Sequence, residues 1–172
     1  MSEKNTMQIS GQISDRFRRA MEKRSKWDAL WRECYAYALP QYDGVTQSSN
    51  PGEVRTATLF DGTAPDGVDQ LASSLLGELT PPWGRWFSLT AGSEASPEAA
   101  ADAAKALEFV SDTVRGHFER SNFAIEMHQC FLDLVTVGTA CLLFEEAPAG
   151  SNSAFQFTAI PLGQIAFEEG QG

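Results

Sequence analysis

The sequence predicts an α+β protein: mainly long amphipathic helices, followed by the start of a small antiparallel β-domain. Three observations carry this. Apolar residues recur at steps of three and four through four long stretches. After Gly138 that period gives way to an apolar run, Thr139 to Glu145, and then to alternation over Ala154 to Ile160. Between the last two, residues 147 to 153 hold Pro, Gly, Ser and Asn, the composition of a hairpin-like turn.

The first helix is expected over Ser14 to Leu39. Its apolar residues are Ile13, Phe17, Met21, Trp27, Leu30, Trp31, Cys34, Tyr35 and Ala38. Ser10 or Ser14 can cap the start and Pro40 ends it. Its length would be on the order of 40 Å. Trp27, Trp31, Tyr35 and Tyr37 are large enough to anchor it. Gln41 to Gly62, rich in Gly, Ser, Asn and Pro, reads as a loop. Thr63-Ala-Pro-Asp66 resembles a capping box for a second helix, whose face is Ala64, Val68, Leu71, Ala72, Leu75, Leu76 and Leu79. Pro81-Pro82 stops it. A short strand is expected near residues 86–90, in the aromatic run Trp83 to Thr90.

Ser96-Pro97 opens a third helix, with Ser as N-cap and Pro at the first helical position. Its face is Ala100, Ala103, Leu107, Val110, Val114 and Phe118. Asn122 can cap a fourth, carrying Phe123, Met127, Phe131, Leu134 and Val135. Two strands follow Gly138, and Ile165 to Phe167 begins a third. The division expected is 1–138 helical and 139–172 the truncated start of a β-domain. A sheet cut at Gly172 would leave an open edge. The chain therefore reads as the N-terminal part of a longer protein, monomeric or aggregation-prone by itself.

The 172 residues suit one domain, or one large and one small. Hydrophobic residues make up 42%, enough for a packed core and too many for global disorder. The net charge of −10 argues against general nucleic-acid binding, which needs a cationic face. That charge is uneven. Residues 1–60 hold nine basic and seven acidic side chains, net +2; the rest hold four and 16, net −12. Six basic residues fall between Arg16 and Lys26, opposed there only by Glu22. Such a run either meets phosphate or an acidic protein surface, or is a solvated face paired with the chain's own acidic remainder or a neighbouring copy. Three cysteines without a close pair exclude a disulfide framework. The polar first ten residues are no signal peptide, and no run of about 18 apolar residues could span a bilayer.

Nothing in the sequence assembles into a catalytic or metal centre, so no enzyme activity and no cofactor are expected. Glu126, His128 and Cys130 alternate on a helix and cannot converge. Cys34, Cys130 and Cys141 lie in apolar surroundings and have no evident His partner. His117 reads as a surface helix residue. Trp83, Arg85, Trp86 and Phe87 can be an exposed partner anchor or core with a snorkelling Arg. Residues alone allow a generic α-rich interaction module.

The middle of the chain is more specific. Asp61-Gly-Thr is followed by a Leu-Ala-Ser helix, then Leu-Thr-Pro-Pro (Leu79 to Pro82) and Trp-Gly-Arg-Trp-Phe (Trp83 to Phe87). This order resembles the head-to-tail connecting (portal) proteins of short-tailed phages. Tyr35-Ala-Tyr-Ala-Leu-Pro40, Ser121-Asn-Phe, Val137-Gly-Thr-Ala-Cys-Leu and Phe157-Thr-Ala-Ile-Pro-Leu agree with the same family, so the likeness covers roughly residues 10–170. The resemblance implies a structural subunit of a dodecameric ring at a capsid vertex, in the virion, with assembly in the host cytoplasm. DNA would pass through the ring without sequence-specific binding, and capsid, terminase and tail adaptors would be partners of the full-length protein. Residues 1–138 would be its wing region. Arg16, Arg18, Arg19, Trp83, Arg85 and Trp86 are the candidate subunit contacts.

Overall fold

The first helix is longer than its capping signals suggest. In the computed structural model, which describes residues 3–40, 61–92 and 96–168, helix α1 runs Glu3–Ala38. Ser10 and Ser14 are interior to it. The polar residues ahead of Ser14 are adequate helix formers, so nothing stops the helix there. Most of the expected loop, 41–60, lies outside the described residues. Helix α2, Thr63–Leu79, starts differently from the capping box. Its N-cap is Gly62, and Thr63 is already helical. Asp61 Oδ1 accepts the Thr63 N–H at 2.9 Å instead, an Asx turn at the entry.

Between α2 and α3 (Pro97–Arg120) the described residues 85–92 form no strand. The expected strand at 86–90 fails because its backbone is recruited by a helix. Leu89 N–H donates to Ser111 Oγ at 3.0 Å, and Ser111 Oγ donates to Leu107 O at 2.7 Å. Ser111 is buried while Val110 is exposed, so the packed face of α3 passes through Ser111 where Val110 was expected.

Helix α4, Phe123–Val137, is the centre of the molecule. Cys130, Phe131, Leu132 and Asp133 are all buried, so it is covered round its circumference. Ala72 of α2 meets Phe131 and Leu132 in one cluster, which Val68, Leu75, Leu76 and Met127 extend. Trp31 and Tyr35 of α1 meet Leu162 in a second, with Val137 and Ile165 against it. Leu39 joins the two. Trp27 and Tyr37, expected as anchors, are exposed. Gly138 ends α4 at φ 76°, the left-handed conformation glycine adopts freely, and its N–H donates to Leu134 O at 2.9 Å.

Strands β1 (Leu142–Glu146) and β2 (Phe155–Ala159) form the antiparallel hairpin, with Phe144 opposite Phe157. Ile160 N–H bonds Cys141 O and Ala147 N–H bonds Ala154 O, so the amides of Phe155, Phe157 and Ala159 face away from β1. Side chains cover this outer edge of β2. Asn122 Oδ1 accepts the Phe157 N–H at 2.9 Å and Asn122 Nδ2 donates to Phe157 O at 2.7 Å. Glu126 Oε2 accepts the Ala159 N–H at 2.8 Å, and Ser153 Oγ the Phe155 N–H at 3.1 Å. One turn of α4 thus plays the part of a third strand. Asn122 is the N-cap by position, but makes no side-chain cap bond, because its amide is spent on the sheet. Ser121 Oγ accepts the Phe123 N–H at 3.1 Å in its stead.

The expected strand at Ile165 to Phe167 is also absent. After a single 3-10 turn, Leu162–Gln164, the segment lies along α1. Arg24 Nη1 donates to Leu162 O (3.3 Å), Gly163 O (2.7 Å) and Ile165 O (2.9 Å), taking carbonyls that a neighbouring strand would have used. Asn122→Ala removes both bonds to Phe157 and leaves its amide and carbonyl half-buried. Denaturant unfolding should show a loss of about 1–3 kcal/mol, with faster hydrogen exchange at Phe157 than elsewhere in β2.

Candidate assembly surface

The six candidate contact residues do not form one patch. Arg16, Arg18 and Arg19 are all exposed on the N-terminal half of α1, where every residue from Ile9 to Arg19 is exposed. Arg16 Nε donates to Glu168 Oε2 at 2.8 Å, pairing α1 with the far end of the chain. Arg18 reaches Asp15 at 3.0 Å and Glu22 at 3.8 Å on its own helix. Arg19 Nε donates to Asp15 O at 3.2 Å. The Arg16 bond holds the Glu168 carboxyl below the ordinary carboxylate range, with Arg16, Arg19 and Lys23 adding charge attraction against a desolvation effect that opposes it. So the basic run already receives one carboxylate of the acidic remainder, as one of its two sequence readings has it.

The aromatic run divides. Trp86 is half-buried and packs inward. It stacks on Phe123 at 5.7 Å and meets Phe87 at 4.7 Å and Phe118 at 5.3 Å edge-on. Phe118 continues the cluster to Phe155 and Phe157, both at 5.5 Å, tying the 83–90 segment, α3, α4 and β2 together. Arg85 Nη2 donates to both carboxylate oxygens of Asp112, at 2.8 and 2.9 Å, and its Nη1 reaches Glu108 at 3.3 Å. These bonds, Asp112 foremost, raise its guanidinium pKa above its ordinary value. Trp83, at the turn after Pro81-Pro82, is 83% exposed. Of the two aromatic candidates it is the exposed one.

Arg24 was not distinguished by sequence reasoning from its basic neighbours. Its register was the available signal: it lies in step with Ala20, Trp31 and Tyr35, the buried face of α1. Its side chain is 10% exposed and its Nε lies 3.2 Å from Asp28 Oδ1, off-axis and so an ion pair without a formed hydrogen bond. Beside it, Lys23, Trp27, Trp31, Val137, Thr139 and Phe167 line a cleft of about 410 Å³.

The titratable residues support packing. Among the described residues no group of three His, Cys, Asp or Glu side chains is arranged to hold a metal. Burial, then the negative charges of Asp133, Cys141 and Glu126, push the Cys130 thiol up to about 11, so it is protonated at neutral pH and a poor nucleophile. His117 is half-buried, which corrects its reading as a surface residue. Its Nδ1 accepts the Ala154 N–H at 3.1 Å and its carbonyl accepts Ser153 Oγ at 2.7 Å, pinning the hairpin turn to α3. Among the described residues no helix is long and apolar enough to cross a membrane.

A family model described as bacteriophage head to tail connecting protein matches residues 10–172. No curated protein matches the chain.

Two measurements test this surface. Glu168 has a lowered folded pKa, so its bond to Arg16 contributes stability above the unfolded carboxylate pKa and loses it as pH falls through the lowered value. Glu168→Gln should therefore lower the melting temperature slightly at pH 7 in low salt. The difference should vanish in strong acid and shrink in 1 M salt, where screening acts within roughly 3 Å. Cys130 should resist thiol reagents at pH 8 until the protein is unfolded, as mass spectrometry of labelled peptides would show.

Proposed function

The chain belongs to the bacteriophage head to tail connecting protein family, and from that membership we propose that it is a subunit of a portal ring through which DNA enters and leaves the capsid. The family is structural, connecting phage head to tail, and its members reside in the virion. The single observation that carries the reading is the match over residues 10–172, nearly the whole chain. In the intact protein the ring is dodecameric, of the short-tailed phage type. It meets capsid, terminase and tail adaptors, and it assembles in the host cytoplasm. Residues 1–138 form the wing region and 139–172 open a small β-domain.

The physical features suit that role. The body from residue 61 onward carries 4 basic and 16 acidic side chains, so it repels phosphate, and DNA can slide past it without being held. Its chemistry-bearing side chains serve packing. We assign subunit contact to Trp83 and to the outward cations Arg18 and Arg19; Arg16, Arg85 and Trp86 support those positions through bonds inside the chain.

Native mass spectrometry of the intact protein should find a twelve-subunit ring. Charge reversal at Arg16, Arg18 and Arg19 should lower the ring fraction, most strongly at low salt. A protein that stays monomeric at every concentration would overturn the ring, and rings of unchanged yield would remove the arginines from the contact.

A further inference from the structure

Helix α1 carries one continuous stripe that is buried for only part of its length. Ile9, Ile13, Phe17, Ala20, Arg24, Trp27, Trp31 and Tyr35 follow steps of four, four, three, four, three, four and four, and so share one helical face. Its lower part is mostly core: Ala20, Trp31 and Tyr35 are 6%, 8% and 4% exposed, while Trp27 between them opens onto the cleft at 57%. Its upper part projects beyond the body, and Ile9, Ile13 and Phe17 are 50%, 60% and 55% exposed. Among the described residues none covers that part. A projecting stretch of three turns, with Gly11 inside it, gains little stability from propensity alone, since helices in proteins rest mostly on packing. Isolated apolar side chains on a surface are ordinary, but an aligned continuation of a core face marks a contact.

We infer that this projecting arm docks on the body of a second copy of the chain. The inference rests on the ring reading and names the surface that would build it. Charge decides the occupant. Residues 9–26 hold six basic and two acidic side chains, net +4, so two arms laid against each other repel. The body from residue 61 onward is net −12 and exposes Leu79, Trp83, Phe109 and Ile125. Arg16, Arg19 and Lys23 flank the stripe at steps of three and four, and within the chain these same cations attract the Glu168 carboxylate. An apolar stripe with a basic flank therefore finds its complement on an acidic body with apolar side chains, and both halves are present in every copy. Arm-on-body contact is heterologous. Repeated with a closing rotation it makes a ring. Phosphate contact would need the cations and leave Ile9, Ile13 and Phe17 idle.

The test places a photo-crosslinking phenylalanine analogue at position 17 of the intact protein and mixes isotopically labelled with unlabelled copies. Mixed-label crosslinks from the arm to peptides within 61–172 are expected. Phe17→Asp should lower the ring fraction at least about tenfold, as loss of an interface anchor does, with an unchanged circular dichroism spectrum and melting temperature. Crosslinks confined to one chain, or running arm to arm, overturn the inference. Wild-type rings that Phe17→Asp forms equally well overturn it and leave the ring reading standing. Phe17→Asp that weakens retention on DNA while rings form normally overturns it in favour of nucleic acid. A wild-type protein that never associates removes both.

Discussion

A carboxylate without access to water fixes how the helices sit. Asp133 is 1% exposed, in the middle of α4, and a charge or carboxyl group in that position is costly unless it is hydrogen-bonded. Tyr35 supplies a bond, its hydroxyl donating to Asp133 Oδ1 at 2.7 Å from the opposite side of the core. Apolar side chains permit many rotations of one helix on another, but this bond is satisfied at few of them. It sets the register of α1 on α4, and α1 in turn carries Trp31 and Arg24 into place against the residues after the hairpin. The two hydrophobic clusters, joined at Leu39, fill in around that setting.

The same economy governs the hairpin. A two-stranded ribbon is marginal in water, and here it gains a third member without a third strand. Asn122 and Glu126, four residues apart and so on one helical face, present an amide and a carboxylate at the spacing of alternate strand residues. The sheet edge and the helix start are closed by a single stretch of sequence.

The helices were legible because their signal is periodic and repeated. Pro40, Pro81 and Gly138 marked ends that the structure keeps within a residue or two, and the alternation of Phe155, Phe157 and Ala159 located β2. What was not legible shares one cause: backbone groups whose partners are side chains from distant sequence. Trp86 to Thr90 has strand composition, yet its Leu89 amide goes to Ser111. Ile165 to Phe167 looks like a strand, yet Arg24 takes the carbonyls of Gly163 and Ile165. Asn122 has the residue type of a cap and spends its amide on Phe157. Composition records what a segment can pair with, and it is silent on which distant polar group arrives first. For the same reason the exposed Trp83 and the half-buried Trp86, three residues apart, could not be told apart before their surroundings were known.

The Arg24 clamp also fixes an order of events during synthesis. Its carbonyl partners lie 138, 139 and 141 residues further along the chain. At roughly 5–20 residues per second, a ribosome needs on the order of ten seconds to deliver them after Arg24 has emerged. Through that interval α1 has α2 and then α4 to pack on, while Trp31 and Tyr35 still lack Leu162. The first helix made is the last to receive its clamp.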